Sequence, residues 1–166
     1  TPLLHGLGLE MREGVLASNK NHLKRTHTPA DRGIVFSNRY SSHPTVTMAS
    51  RHSSRVATVF LEGGSLERWQ GEQAIGGAKV IFPIRASGDY WLDTDGNWSK
   101  EKDEKTGAMN LMAAVTVPND DGDEGRAVVL ADGDFVTDQV IRNPGNGLVV
   151  GDIMQWLLGQ EQILGD

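Results

Sequence analysis

Apolar positions fall in two patterns along this chain, short unbroken runs first and a helical spacing last, and together they predict a strand-rich α/β domain closed by one helix. Residues 33–37 (GIVFS), 55–63 (RVATVFLEG), 79–87 (KVIFPIRAS), 109–117 (MNLMAAVTV) and 126–131 (RAVVLA) are apolar or β-branched and of strand length. A further strand is expected near residues 14–17. The run AVVLA lacks polar alternation, the pattern of a strand buried on both faces, and it ends in Asp132, Gly133 and Asp134. In an open α/β sheet that end faces the binding crevice. Pro83 has no N–H to give to a ladder, which places its strand at an edge or a bulge.

Helical spacing is clearest at Val149, Val150, Ile153, Met154, Leu157 and Leu158, whose common face is expected to pack on the sheet after a loop of turn-formers at residues 144–147. Leu3, Leu4, Leu7 and Leu9 suggest a short helix broken by Gly6 and Gly8. Residues 45–51 read as another, entered through His43 and Pro44. In GGSLE, Ser65 reads as the N-cap of a helix. Residues 18–32 and 88–107 are polar loops, and residues 118–125 (PNDDGDEG) make a tight acidic turn.

Strands therefore precede the one convincing helix, with no internal repeat, and the class is mixed α/β. A doubly wound parallel sheet needs helices on both faces. Either part of the fold lies outside this chain, or the sheet is largely antiparallel. At 166 residues one α/β domain spanning 1–166 is expected. No apolar run reaches the roughly 18–20 residues of a membrane-spanning helix, and the start at Thr1 without Met suggests a piece of something longer.

A formal net charge of −6 and a pI near 5.3 argue against a nucleic-acid surface. The one basic cluster, Lys20, His22, Lys24, Arg25 and His27, contains no aromatic residue for base stacking and reads as a solvated loop. With no cysteine, disulfides, thiolate metal sites and a Cys nucleophile are excluded.

Candidate chemistry is incomplete at each motif. VVLADGD resembles the first motif of haloacid-dehalogenase-type phosphatases, in which a nucleophilic Asp and a second acid/base Asp serve phosphoryl transfer. No Lys follows Lys105, however, and Val136 stands where that pattern has Thr. A metal-dependent hydrolase using the Asp132 and Asp134 pair is the enzymatic alternative. In residues 93–97 (DTDGN) oxygen donors alternate and Glu104 takes the twelfth place of an EF-hand-like loop, but Trp98 holds the sixth place, which requires Gly. An Asp/Gly turn is preferred, and neither metal nor cofactor is assigned. The acidic turn 119–124 reads as solvated. None of the five histidines has HExxH spacing, and no GxSxG or phosphate-binding glycine motif occurs. The amides at NPGNG lie at a helix N-terminus. Tyr90, Trp91 and Trp98, flanked by Asp and Asn in a polar loop, suggest a platform for sugar rings.

Taken in order, LLHGLGLEMREGVLAS, SSHPTVT, VFLEGGSLE, RAVVLADGDFVTD and GNGLVVGDIMQWLLG resemble the GldG-type auxiliary proteins of ABC-type transport systems, which share a domain with an intraflagellar-transport subunit. The resemblance implies a flavodoxin-like or class I glutamine amidotransferase-like mixed sheet, here a partial or strand-rich version. It also implies a non-enzymatic domain cut from a longer membrane-anchored protein and held on the extracytoplasmic, periplasmic face. There its partners would be membrane transporter subunits and, by analogy, a glycan, with oligomerisation left open. The acidic positions Asp132 and Asp134 carry over, and Asn146 would border the same crevice with Tyr90, Trp91 and Trp98 as the platform. A purely structural protein-interaction module is the third reading.

Overall fold

A computed structural model describes residues 1–72, 74–119 and 121–160; Asp120 of the acidic turn lies outside these. In chain order the elements are α1 (Pro2–Gly6), β1 (Leu9–Met11), β2 (Val15–Ala17), β3 (Ile34–Ser37), β4 (Arg39–Tyr40), α2 (Thr47–Arg51), β5 (Thr58–Leu61), β6 (Leu66–Arg68), β7 (Lys79–Ala86), β8 (Trp91–Asp93), β9 (Met109–Pro118), β10 (Glu124–Leu130) and α3 (Pro144–Leu157). Two 3₁₀ turns, Pro29–Gly33 and Pro44–Val46, precede β3 and α2. No helix among the described residues is long and apolar enough to cross a membrane.

The main sheet runs β1-β6-β9-β7-β4 with β10 also on β9, while β2 pairs β8 and β3 pairs β5. Every strand pair among the described residues is antiparallel. The shortage of helices thus reflects a strand-rich, antiparallel α/β fold. β9 is its spine, because residues 111–115 are all buried and both edges are paired.

Pro83 behaves as its chemistry requires. Between the rungs Ile81↔Ala114 and Ile84↔Met112, β7 carries one extra residue, and β9 then carries one before Arg85↔Asn110. A one-residue slip turns every later side chain to the other face. Val80 and Phe82 therefore join one apolar cluster with Leu9, Leu66, Ala113 and Val115, whereas Ile84 and Ala86 join the larger one with Leu16, Val35, Phe60, Met109, Phe135 and Val149.

Three expectations need correction. The AVVLA strand lies on the rim, since β10 pairs only with β9 among the described residues, and residues 126–130 are half-buried. Its missing alternation arises because Val128 and Leu130 meet one cluster while Ala127 and Val129 meet the other. Ser65 caps no helix: it is buried, its hydroxyl accepts the Asn110 N–H at 3.2 Å, and β6 follows. There Leu66 is fully buried and Glu67 pairs with Arg12, so period-two burial overrides the cap signal. Finally, α3 starts at Pro144 and buries Gly145, Asn146, Val149, Asp152, Ile153 and Trp156. Met154, Leu157 and Leu158, expected inside, are exposed.

The rotation of α3 follows from its first turn. A Cβ on Gly145 would lie 2.1 Å from the Ala57 carbonyl oxygen, so only Gly lets the helix approach the backbone before β5 this closely. Farther along, the buried Asp152 accepts the Met48 N–H at 2.8 Å, and Trp156 packs under Arg126 and edge-on to His43, both at 5.1 Å. Gly145→Ala should lower unfolding stability by about 1–3 kcal/mol, read as a reduced denaturant midpoint at unchanged slope.

Candidate functional site

The outer edge of β5 is where the expected crevice residues converge. Asp132 follows β10, is buried, and accepts the Leu61 N–H at 2.8 Å through one oxygen and the Asp134 N–H at 2.7 Å through the other. Burial raises its pKa above the usual carboxylate range, and the two amides partly offset that shift. Asn146, also buried, accepts the Val59 N–H at 2.8 Å and donates to the Val59 carbonyl at 2.9 Å. Asn143 adds a donation to the Asn146 side-chain oxygen at 2.6 Å and another to the Ala57 carbonyl at 2.7 Å. These side chains stand in for a neighbouring strand. Asp134 is exposed beside them, and the Asp132 oxygens are committed to backbone amides rather than to a shared cation.

The aromatic platform is not open. Tyr90 is buried and donates from its hydroxyl to the Phe36 carbonyl at 2.6 Å, and burial pushes its phenol up to about 12. Trp91 is fully buried in β8. Trp98 is half-buried with its ring against Gly33, where an added Cβ would meet it at 2.6 Å, and its carbonyl accepts from Arg32. Sequence polarity around these rings marks the loop surface, whereas their own faces fill the interior beneath it.

The same loop contains the Asp/Gly turn expected at residues 93–97, in which Asp93 accepts the Asp95 and Gly96 N–H groups. One carboxylate oxygen from each of Asp93, Asp95 and Glu104 lies within 4.8 Å of the others. Oxygens on opposite sides of one calcium ion, each about 2.3–2.6 Å from it, are separated by a similar distance. Asp93 accepts the N–H groups of Asp95, Gly96 and Trp98, and Glu104 accepts those of Thr94 and Glu101. Asn97 is tied to Asp95 and Glu101. Gly96 and Trp98 have φ of 76° and 59°. The sixth place thus has the left-handed backbone that a glycine would supply, held in Trp98 by packing on Gly33 and by the Arg32 bond. The sequence signal is the alternation of oxygen donors in residues 93–97 with Glu104 at the twelfth place, set against Trp98 at the sixth and Gly96 at the fourth. Each of the six carboxylate oxygens of Asp93, Asp95 and Glu104 accepts an N–H group of the loop itself, so the arrangement satisfies the loop's own donors in the way Asp132 satisfies those of β5.

The basic cluster is not a free loop. Residues 21–23 lie along β3, with Leu23 donating to the Ile34 carbonyl at 2.8 Å and Phe36 donating to the Asn21 carbonyl at 3.2 Å. Asp31 accepts the N–H groups of Arg25, Thr26 and His27 and the Thr26 hydroxyl. Burial alone would raise its pKa, but these donors outweigh it and hold the carboxyl at about 2. Beside this stretch a cavity of about 630 Å³ has an apolar floor of Leu23, Ile34, Val59, Leu61 and Val140, with Lys24 and Arg25 at its rim.

The fold and this geometry define an α/β domain with a sheet edge sealed by side chains, an acidic loop and an apolar groove. It is similar to a solved structure described as the mmIFT52 N-terminal domain, with a TM-score of 0.60 and 12% identity over 93% of this chain and 55% of that one. The chain spans about half the length of that structure. The expected likeness to a domain of an intraflagellar-transport subunit is met at the level of the fold. No protein-family model matches the chain, and no curated protein matches it.

Asp132→Asn should lower stability by about 1–3 kcal/mol, because an amide turns a donor toward one of the two N–H groups, whereas Asp134→Asn should stay within about 0.5 kcal/mol; urea melts of both variants check this. Glu104→Gln should lower the melting temperature in metal-free buffer, because an amide turns a donor toward the Thr94 or the Glu101 N–H.

Proposed function

We propose that this chain is a non-enzymatic binding and assembly domain of a GldG-type, ABC-transporter-associated membrane protein, and that it works on the extracytoplasmic face by docking another protein. The observation that carries this reading is the groove on the outer face of β3 and β5. Its floor of Ile34, Val59 and Leu61 is apolar although it faces away from the core, and Lys24 and Arg25 border it. Such a surface fits an apolar segment flanked by acidic residues. The fold shared with the mmIFT52 N-terminal domain supports the reading, as does the order of segments that resembles the GldG-type proteins.

Use of Asp132 and Asn146 against β5 favours docking over hydrolysis. A nucleophilic carboxylate needs a free oxygen directed at its substrate, and both Asp132 oxygens accept backbone N–H groups. Burial of Tyr90 and Trp91 likewise takes away two of the three rings of the expected platform, which supports a reading centred on the groove.

Ile34→Glu and Leu61→Glu should each reduce co-purification of transporter subunits at least about 30-fold, the effect of losing a central apolar contact, with unchanged circular dichroism. Undiminished co-purification would overturn the docking reading. A neutral glycan that stabilises the wild type and fails with both variants would transfer the groove to sugar recognition.

A further inference from the structure

On the far edge of the main sheet, the β4–β7 rung sets Arg39 directly opposite Arg85. Side chains on one antiparallel rung stand on the same face with Cβ atoms about 4.5–5.5 Å apart, and like charges there repel. Both arginines are exposed. Among the described residues neither guanidinium has a carboxylate within ion-pair distance or a hydrogen bond of its own. Asp89 accepts the Lys20 N–H at 2.9 Å and the Ser18 hydroxyl at 3.5 Å through one oxygen, and among the described residues it forms no ion pair with either arginine.

The two arginines line a cleft of about 360 Å³ with the hydroxyl-bearing Ser41 and Ser87, walled by Tyr40 and Phe82, and no acidic residue borders it. A third guanidinium, that of Arg68, lies 5.5 Å over the Phe82 ring. Guanidinium forks match the oxygens of phosphate and sulfate in bidentate geometry. Two forks and two hydroxyls suit a tetrahedral group with three terminal oxygens. A single carboxylate, with one charge and two oxygens, would leave the second arginine unmatched.

We propose that the Arg39–Arg85 cleft binds a tetrahedral oxyanion, a phosphate or sulfate group, free or carried as a monoester. This surface is separate from the β3–β5 groove and does not depend on the docking role assigned to it. Charged residues on an edge strand also discourage sheet extension, a role that needs no anion and so gives a different experimental result.

The test is thermal melting of the whole chain in inorganic phosphate, sodium sulfate, glucose 6-phosphate or sodium acetate, each against sodium chloride at equal ionic strength. At ten times Kd, phosphate or sulfate should raise the wild-type melting temperature by about 3–6 °C, with acetate giving less. Arg39→Gln, Arg85→Gln and the double variant should lose the rise, while Arg55→Gln, an exposed charge outside the cleft, should keep it. In chloride alone Arg39→Gln should melt no lower than wild type, because it relieves the repulsion. Equal rises with phosphate and sulfate support a general oxyanion site, and a larger rise with glucose 6-phosphate identifies an ester as the ligand. Silence of the wild type at tens of millimolar of every tetrahedral anion overturns the proposal, as does an undiminished rise in the double variant.

Discussion

The constraint on which the rest of the molecule depends is the outer edge of β5. A short strand beside a sheet end has N–H and C=O groups that need partners, and each buried group left alone costs about 1–3 kcal/mol. Here Leu61 N–H is met by Asp132, and both backbone groups of Val59 are met by Asn146. Those two residues come from opposite ends of the connection between β10 and α3, so satisfying one strand fixes where the connection starts and where the helix begins. Gly145 follows from the same demand: Asn146 can reach Val59 only if the helix backbone rests on the Ala57 carbonyl. With the outer edge of β5 held in this way, its face away from the core is left to form the groove floor.

This arrangement also explains what was legible in the sequence. Local chemistry read correctly where one residue type forces one geometry. Pro83 requires an edge or a bulge and occupies a bulge, and Pro44 starts a helical turn. The strand-first, helix-last order gave the strand-rich α/β class. Long-range pairing was not legible, because AVVLA has the same composition whether its two apolar faces lie at the centre of a sheet or at its rim. The α3 register failed for a related reason. Hydrophobicity favoured the stripe through Met154 and Leu157, whereas the observed face is set by a glycine and two polar residues, Asn146 and Asp152, whose partners lie about a hundred positions away in Asp152's case. Asp132 and Asn146, expected at the border of a crevice, bond the backbone of β5, a use of polar side chains that composition does not reveal.

Loop 93–104 shows the converse case, in which a residue looks wrong by identity and right by conformation. A bulky side chain in the left-handed region costs roughly 1–2 kcal/mol, and Trp98 offsets that cost with a ring contact that a glycine cannot make. Its ring covers Gly33, and its carbonyl takes the Arg32 guanidinium. The tryptophan thereby latches the acidic loop to the 3₁₀ turn that leads into β3. The exposed acidic loop and the strand that floors the groove are mechanically joined through one side chain.

Charge is divided in a way that matters for both surfaces. Residues 93–104 carry five carboxylates against Lys100 and Lys102, so these twelve positions hold half of the formal net charge of −6. Fields between exposed charges fade over about 8 Å at physiological salt, so a loop of this kind affects what lies beside it much more than distant edges. The acidic pI of the whole chain therefore says little about either basic feature, the Lys24–Arg25 rim or the Arg39–Arg85 rung. Local potential at each depends on neighbours within that range, and the cleft at the rung is lined by two guanidinium groups and two serine hydroxyls. An overall acidic protein can in this way carry a locally basic edge and a locally acidic loop.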